Sequence, residues 1–275
     1  MVAVLAATLA GAQNPPAPTP PPQSPPTQQA PPASGAQEPA PVAATPPAAA
    51  VPTGTVVIDP GHGGTDAGAR GSGGVQEKDV VMSLAQHLRS ALERQGWRVV
   101  LTRQAGDNPS YDDRAGTANA YRGALLIVLH ASSTGATGTA RAYYAPPAGS
   151  APEVAVALPA APGEARSEPK EAPAPRPVGL VRWEDAQQPF TTASRQLALA
   201  VQKQIAQRLE KSPAEPAPAS LRDLRSIAAP AIAVELASVS VKDRKAIDPY
   251  LAPLAEAIVQ GIRAFRGGAN SGGAQ

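Results

Sequence analysis

The fold is decided first by the stretch TVVIDPGHGG, which occupies residues 55–64. It opens with a β-branched run that predicts a short buried strand. The sequence that follows, at 60–74, is rich in glycine and predicts a loop whose backbone can approach a bound group closely. His62 therefore lies just beyond the end of a predicted strand. A histidine in such a loop, taken alone, is more often an exposed polar residue than a ligand.

Strand and helix patterns alternate along the rest of the chain. Apolar runs predict further strands at 97–102, 124–129, 140–145 and 231–234. Helical periodicity covers 77–95, 112–121, 192–209 and 247–265. This alternation predicts βαβ units, and the predicted fold class is therefore α/β with a mostly parallel sheet.

Composition separates one folded domain from segments too rich in Pro and Ala to form a core. We expect the folded domain at 53–266, interrupted by a Pro-rich insert at 146–189. The flanking segments are a signal-like segment at 1–12, a disordered Pro-rich tether at 13–52 and a disordered tail at 267–275. The first segment, MVAVLAATLA followed by AGA, has an A-x-A-like cleavage site. This favours a periplasmic or secreted protein.

Charge and cysteine content narrow the classes of partner and chemistry. The formal net charge is +2 and the basic residues are dispersed among acidic ones, so we expect no nucleic-acid partner. The chain has no cysteine, which excludes disulfides, thiolate metal ligands and cysteine nucleophiles. Any metal must be held by His, Asp or Glu.

Four polar residues occur where a hydrophobic run gives way to a loop or a helix: His62, Glu77, His130 and Glu235. The carboxyl ends of strands in an open α/β sheet are where ligands gather. Two imidazoles and a carboxylate make a three-ligand zinc site with an open position, and a second carboxylate beside it can move protons. Together the four residues predict a zinc hydrolase.

Each of these residues also has a structural interpretation when it is taken alone. His130 could be a histidine at the edge of the core whose ring nitrogens are hydrogen-bonded, and Glu77 could stabilise a helix start by a few tenths of a kcal/mol. Glu235 ends an apolar strand, where a carboxylate is costly to bury without a partner. The third histidine, His87, is predicted in mid-helix and receives no function. The zinc prediction therefore rests on the combination.

The motif VIDPGHGG (57–64) resembles the opening motif of the zinc-dependent N-acetylmuramoyl-L-alanine amidases, the type 3 amidase family of bacterial cell walls. Further matches to that family follow in the same order: Glu77-Lys78-Asp79, Leu101-Thr102-Arg103, Arg114, Ala118-Asn119, Leu129-His130-Ala131, and Pro230 to Glu235. The similarity covers residues 55–265 apart from the insert. So many ordered matches are far more specific than one short motif.

The resemblance implies a single domain with a mixed sheet and helices on both faces. It implies Zn²⁺ held by His62, Glu77 and His130, with Glu235 as the catalytic acid/base. The reaction would be hydrolysis of the amide between N-acetylmuramic acid and L-alanine in peptidoglycan. Separately from the resemblance, we expect the chain to be a monomer. Three polar residues within the matching motifs are assigned to substrate binding: Arg103, Arg114 and Asn119.

The chain departs from the family pattern in two places. After Glu235 the family usually has a Gly-Phe pair and a later Asn, where this chain has LASVS (236–240). After His130-Ala131 the family usually has Asn, where this chain has Ser132. These changes bear on substrate contacts and activity level more than on reaction type. Two alternatives stay open: a wall-binding homologue with little or no activity, or another zinc peptidase or deacetylase of the cell wall.

In some amidases of this type an insertion between the second histidine and the final acid blocks the zinc cleft until a partner displaces it. We therefore consider an activator protein acting on the 146–189 insert as a partner. Trp183, near the end of that insert, has two interpretations. It either anchors the returning chain on the domain, which we favour, or gates the cleft.

Overall fold

Six strands form one mixed sheet in a computed structural model of the chain, which describes residues 54–147 and 181–271. The strand order is β2-β1-β3-β6-β4-β5. The strands are β1 (Thr55–Pro60), β2 (Arg98–Leu101), β3 (Leu125–Ala131), β4 (Ala140–Tyr144), β5 (Ala217–Pro218) and β6 (Ala231–Leu236). Strands β2, β1, β3 and β6 are parallel, whereas β4 runs antiparallel to β6. The carboxyl ends of the three central strands therefore meet at one edge.

Helices cover both faces of this sheet. The helices are α1 (Glu77–Glu93), α2 (Tyr111–Asn119), α3 (Thr191–Arg208), α4 (Arg222–Arg225) and α5 (Asp248–Ser271). Side chains alternate along β3, so Leu125, Ile127 and Leu129 join the cluster of α1, α3 and α5. Leu126 and Val128 join the smaller cluster of α2 and α4. By the same alternation His130 lies on the α2 and α4 face.

The start of α2 is fixed by a capping box. The Ser110 hydroxyl accepts from the Asp113 amide, and the Asp113 carboxylate accepts from the Ser110 amide. This arrangement satisfies two amides that a helix start otherwise leaves unpaired. It holds the first turn of α2, with Tyr111 and Arg114, beside the carboxyl edge of the sheet.

The α/β class, the mixed sheet and the helices on both faces are confirmed. The predicted strands and helices all occur, with ends shifted by a few residues. The short β5 and α4 were not predicted, because two and four residues carry no periodicity. Helix α5 continues to Ser271, so its predicted end at Phe265 is too early.

Several predictions concern residues that the structure does not describe. The signal-like segment, the tether, most of the insert and the last four residues of the tail lie outside the described residues. Among the helices that are described, none is both long and apolar enough to cross a membrane.

Candidate metal centre

His62, Glu77 and His130 come together at the carboxyl edge of the sheet. His62 follows β1, Glu77 opens α1 and His130 lies near the end of β3. One potential ligand atom from each lies within 4.8 Å of the others. Neighbouring parallel strands bring the two histidines together, and the glycine-rich loop returns the chain to the same edge for Glu77.

Glu77 is the centre of this cluster and is 1% exposed. Its Oε1 accepts from the Ala131 amide at 2.8 Å and lies 2.9 Å from His130 Nδ1. Its Oε2 accepts from the Ala69 amide and lies 3.1 Å from His62 Nε2. Burial opposes ionisation of Glu77, but the two neighbouring histidine rings outweigh burial and hold its pKa well below the ordinary value. Glu77 is therefore a fixed carboxylate.

The loop packs closely around this carboxylate at Gly68. The residue has φ of +63°, and a Cβ there would lie 2.5 Å from Glu77 Oε2 and 2.6 Å from His62 Cδ2. Only glycine combines that backbone conformation with so close an approach.

His62 is oriented by Asp66, a residue that the sequence did not single out. Asp66 Oδ2 lies 2.8 Å from His62 Nδ1, and its Oδ1 accepts from the Gly68 amide. Because a carboxylate only accepts, Nδ1 carries the ring proton, which leaves Nε2 as the atom available to a metal. Burial alone would raise the pKa of Asp66, but these two bonds lower it.

Two buried arginines donate hydrogen bonds to the backbone of the turn at 60–62, which carries His62. Arg103 donates from Nε to the Pro60 carbonyl at 2.7 Å and from Nη2 to the Gly61 carbonyl at 2.9 Å. Arg114 donates to the carbonyls of Pro60 and His62 and forms a 2.7 Å ion pair with Asp59. His62 has φ of 58°, a left-handed conformation that is unfavourable outside glycine. The arginine contacts stabilise this strained turn.

His130 also has carboxylates on both sides of its ring. Glu77 faces Nδ1, and Asp223 Oδ2 lies 3.5 Å from Nε2. Asp223 belongs to α4, and its side chain is 8% exposed. Burial lowers the pKa of His130, but the two acids outweigh burial and raise it well above the ordinary value. The same concentration of negative charge favours a divalent cation.

The donor set fits a zinc ion. In the described part of the chain, Nε2 of His62 and Nε2 of His130 are two buried side-chain nitrogens without a hydrogen-bond partner. Buried polar atoms are rarely left unpaired, so each exception calls for an explanation. A metal held by Nε2 of His62, the Glu77 carboxylate and the His130 imidazole accounts for the unpaired nitrogen of His62. Two imidazoles and one carboxylate are also a ligand combination of catalytic zinc sites.

Glu235 lies beside His130 on the neighbouring strand. The two residues are register partners on β3 and β6, so their side chains leave the same face of the sheet. Burial raises the pKa of Glu235, while a bond to Ser132 and the charge of His130 act in the opposite direction. A carboxylate with a raised pKa beside a metal centre can accept and return a proton near neutral pH.

The residues assigned to substrate binding differ in their surroundings. Arg114 lines a cleft of about 280 Å³ that also contains His62 and His130. Arg103 is 3% exposed and makes the backbone contacts described above. Asn119 donates to the Ser226 carbonyl and accepts from the Ala228 amide, which ties α2 to the segment before β6. Their roles toward a substrate stay predictions.

The unusual sequence after Glu235 packs between two loops of the site. The Val239 amide donates to the Ser132 carbonyl, and the Ser240 hydroxyl donates to the Ser133 carbonyl. On its other side this segment contacts the glycine-rich loop, where a Cβ at Gly71 would lie 2.0 Å from the Val239 carbonyl oxygen. Both departures from the family pattern, at 236–240 and at Ser132, therefore meet in one place.

The chain returns from the insert beside the cleft, where Gln187 is its buried anchor. Gln187 Nε2 donates to the carbonyls of Ile227 and Ala229, and its Oε1 accepts from the Ser194 hydroxyl. Trp183 is 47% exposed, and its indole donates to Asp112 Oδ1 at 3.1 Å. The anchoring that we expected of Trp183 is thus provided mainly by Gln187.

The comparisons with known proteins agree with this geometry. The model of the family described as N-acetylmuramoyl-L-alanine amidase matches residues 56–264. The sporulation-specific N-acetylmuramoyl-L-alanine amidase of Bacillus subtilis is 39% identical over 85 residues, which are 30% of this chain and 33% of that protein. AmiC of Escherichia coli is 36% identical over 107 residues, 33% of this chain and 26% of that protein. The matched stretches thus span a third or less of these relatives' own length.

Solved structures match over most of the described fold. The amidase AmiC2 of Nostoc punctiforme has a TM-score of 0.54 and 25% identity, covering 77% of this chain and 96% of that one. An N-acetylmuramoyl-L-alanine amidase from Clostridium difficile 630 has a TM-score of 0.53 and 26% identity, covering 77% and 95%. Because the family model spans more than half of the sequence, the chain belongs to the N-acetylmuramoyl-L-alanine amidase family.

Proposed function

We propose that the chain is a zinc-dependent hydrolase of the amide bond between N-acetylmuramic acid and L-alanine in bacterial peptidoglycan. One observation carries the proposal. The imidazoles of His62 and His130 and the ionised carboxylate of Glu77 meet at the edge of the sheet, and Glu235 lies beside His130 on the neighbouring strand. These are the ligands and the proton carrier that amide hydrolysis at zinc requires. Family membership supplies the substrate class.

His62, Glu77 and His130 would hold the zinc ion, which supplies Lewis acidity and lowers the pKa of an attacking water toward neutrality. Glu235 takes a proton from that water as it attacks the amide carbonyl. Glu235 then gives the proton to the leaving amine of L-alanine, so that the glycan and a free stem peptide are the products. Burial raises the pKa of Glu235 and so favours this exchange.

We propose different roles for the three residues of the substrate-binding prediction. Arg114 lines the cleft and stays a candidate for substrate contact. Arg103 and Asn119 use their polar groups on backbone carbonyls and amides. We infer that these two position the site and do not contact the substrate directly.

The test is product analysis on purified peptidoglycan by mass spectrometry, with the full chain and added zinc. We expect sugar-free stem peptides that begin with L-alanine. Glu235→Gln should slow their release about 10²- to 10⁴-fold, the usual contribution of a general acid/base. Glu215→Gln, at an exposed position, is the matched control and should keep the wild-type rate.

Other products would identify the alternatives. Shortened peptides still attached to glycan would indicate a peptidase, and released acetate with intact peptides would indicate a deacetylase. A protein that binds the wall but releases nothing, with or without Glu235, would be a binding homologue. Any of these results would overturn the proposed reaction.

We further propose that the enzyme acts as a monomer in the periplasm or outside the cell, where its substrate is. An activator acting on the 146–189 insert also remains a proposal. The activator proposal is supported by the path of the chain after the insert. Trp183 donates a hydrogen bond to Asp112, and Asp112 lines the cleft. Deletion of residues 151–176 tests this control. An unchanged rate of peptide release would rule out that stretch as an inhibitor.

A further inference from the structure

Exposed large hydrophobic side chains are concentrated at one place in the described residues. There are three of them: Tyr111 at 43%, Val181 at 59% and Trp183 at 47%. The Trp183 indole donates a hydrogen bond to Asp112, the neighbour of Tyr111 in the first turn of α2. Val181 is two residues before Trp183. Large apolar side chains that share an exposed site often mark a binding surface.

This surface is continuous with the metal cleft. Tyr111 and Asp112 line the same cleft as His62 and His130. Arg222 also lines it, with its guanidinium carbon 4.5 Å from the centre of the Tyr111 ring. We call Tyr111, Asp112, Trp183 and Arg222 the aromatic rim. A molecule that extends out of the cleft over the first turn of α2 would therefore contact the rim.

The rim has the chemistry of a carbohydrate site. Pyranose rings present C–H groups on their faces and hydroxyl or acetamido groups at their edges. Aromatic side chains pack on these faces of the sugar. The polar ends of Tyr and Trp, and charged groups beside them, form hydrogen bonds with the hydroxyl and acetamido groups at the sugar's edges. Trp183 offers its ring, and the Asp112 carboxylate accepts hydrogen bonds beside it. N-acetylated sugars are uncharged, which suits a surface where one acid and one arginine balance each other.

We propose that the aromatic rim binds the glycan strand of the wall substrate, on the sugars next to the muramic acid whose amide lies at the metal. This inference rests on the proposed function, since the amide that is cut joins the peptide to a glycan. The glycan must therefore leave the metal centre along some surface. In this proposal Tyr111 and Trp183 recognise the glycan strand and so contribute to substrate specificity.

A non-hydrolysable probe tests the rim independently of catalysis. Chitohexaose, six N-acetylglucosamine units without lactyl groups or peptide, is titrated into the full chain by calorimetry and by tryptophan fluorescence. The chain has two tryptophans, and Trp97 is only 5% exposed, so a saturable shift in emission would report Trp183. Trp183→Ala should weaken binding about tenfold, as truncation of an aromatic anchor typically does, and Trp183→Tyr should restore most of it.

A second measurement links the rim to the reaction. The kcat/KM for glycan strands is divided by the kcat/KM for a single muramyl peptide, which has no neighbouring sugars. We expect Trp183→Ala to lower this ratio about tenfold, mainly through KM. Lys203→Ala, an exposed change on α3 at the other face of the sheet, should leave the ratio unchanged.

The outcomes separate the rim from the proposed function. If wild type releases no peptide but binds chitohexaose through Trp183, the proposed reaction fails and the glycan site stands. If wild type releases peptide while Trp183→Ala keeps both the affinity and the ratio, the rim proposal is overturned. Absence of chitohexaose binding to wild type would also overturn it, and would leave the rim to another occupant such as residues 148–180 of the chain.

Discussion

Replacing Asp66 by Asn should weaken zinc binding, because Asp66 fixes the ring of His62. Asp66 Oδ2 lies 2.8 Å from His62 Nδ1, and the Asn amide could offer its NH₂ group to the same nitrogen. That would favour the tautomer with the proton on Nε2, where the metal should bind. Loss of such an outer partner typically costs 10- to 100-fold in metal affinity.

The structure places the expected loss near the lower end of that range. The Asp66 side chain is 41% exposed, so solvent screens its charge, whereas the His62 side chain is 11% exposed. Oδ1 of Asp66 also accepts from the Gly68 amide, and the carbonyl of Asn can keep that bond. We therefore expect about a tenfold weaker affinity, equivalent to about 1.4 kcal/mol.

The assay is competition for zinc against a chromophoric chelator, with circular dichroism as a check on folding. Asp107→Asn is the matched control, because Asp107 is an exposed loop aspartate that accepts one backbone bond, from Gln104. We expect the control to bind zinc as wild type does. An Asp66→Asn affinity within twofold of that control would refute the orienting role of Asp66.

Three further changes test the supports of the site. Gly68→Ala should abolish tight zinc binding in a folded chain, because its Cβ would lie 2.5 Å from Glu77 Oε2; retention of stoichiometric zinc would contradict this. Arg114→Ala should lower the free energy of unfolding by about 3 to 5 kcal/mol in urea denaturation, since it leaves Asp59 buried without its cation. A loss below 1 kcal/mol would show that the pair is dispensable. Gln187→Leu should destabilise the fold by about 1 to 3 kcal/mol through two unpaired carbonyls, and an unchanged denaturation midpoint would argue against its anchoring role.

The sheet and the positions of the main site residues could be predicted because both depend on local patterns. A continuous apolar run that ends in His130 identifies a buried strand and the edge to which it points. The prediction that His62 and Glu77 lie at the same edge follows from strand order and from the return of the glycine loop. The structure brings these three residues together, as expected from the sequence.

The partners of these residues were not predictable in the same way. Asp66 carries a weak local signal, a carboxylate four residues after His62 within the loop. Asp223 carries none, because it reaches His130 from the four-residue helix α4, which has no periodic pattern. Gln187 is a polar residue in a Pro-flanked segment, and only the fold shows that it is buried between two parts of the chain. Contacts of this kind depend on tertiary packing, which sequence periodicity does not encode.

The central claim is that zinc at His62, Glu77 and His130, together with Glu235, hydrolyses the muramyl amide. The most direct test measures bound zinc and stem-peptide release on the same samples of wild type, Glu235→Gln and His130→Ala. We predict one zinc per chain in wild type and Glu235→Gln and little in His130→Ala, with peptide release in Glu235→Gln slowed about 10²- to 10⁴-fold and no release by His130→Ala. Peptide release by Glu235→Gln at the wild-type rate, or by a zinc-free His130→Ala protein, would contradict the account.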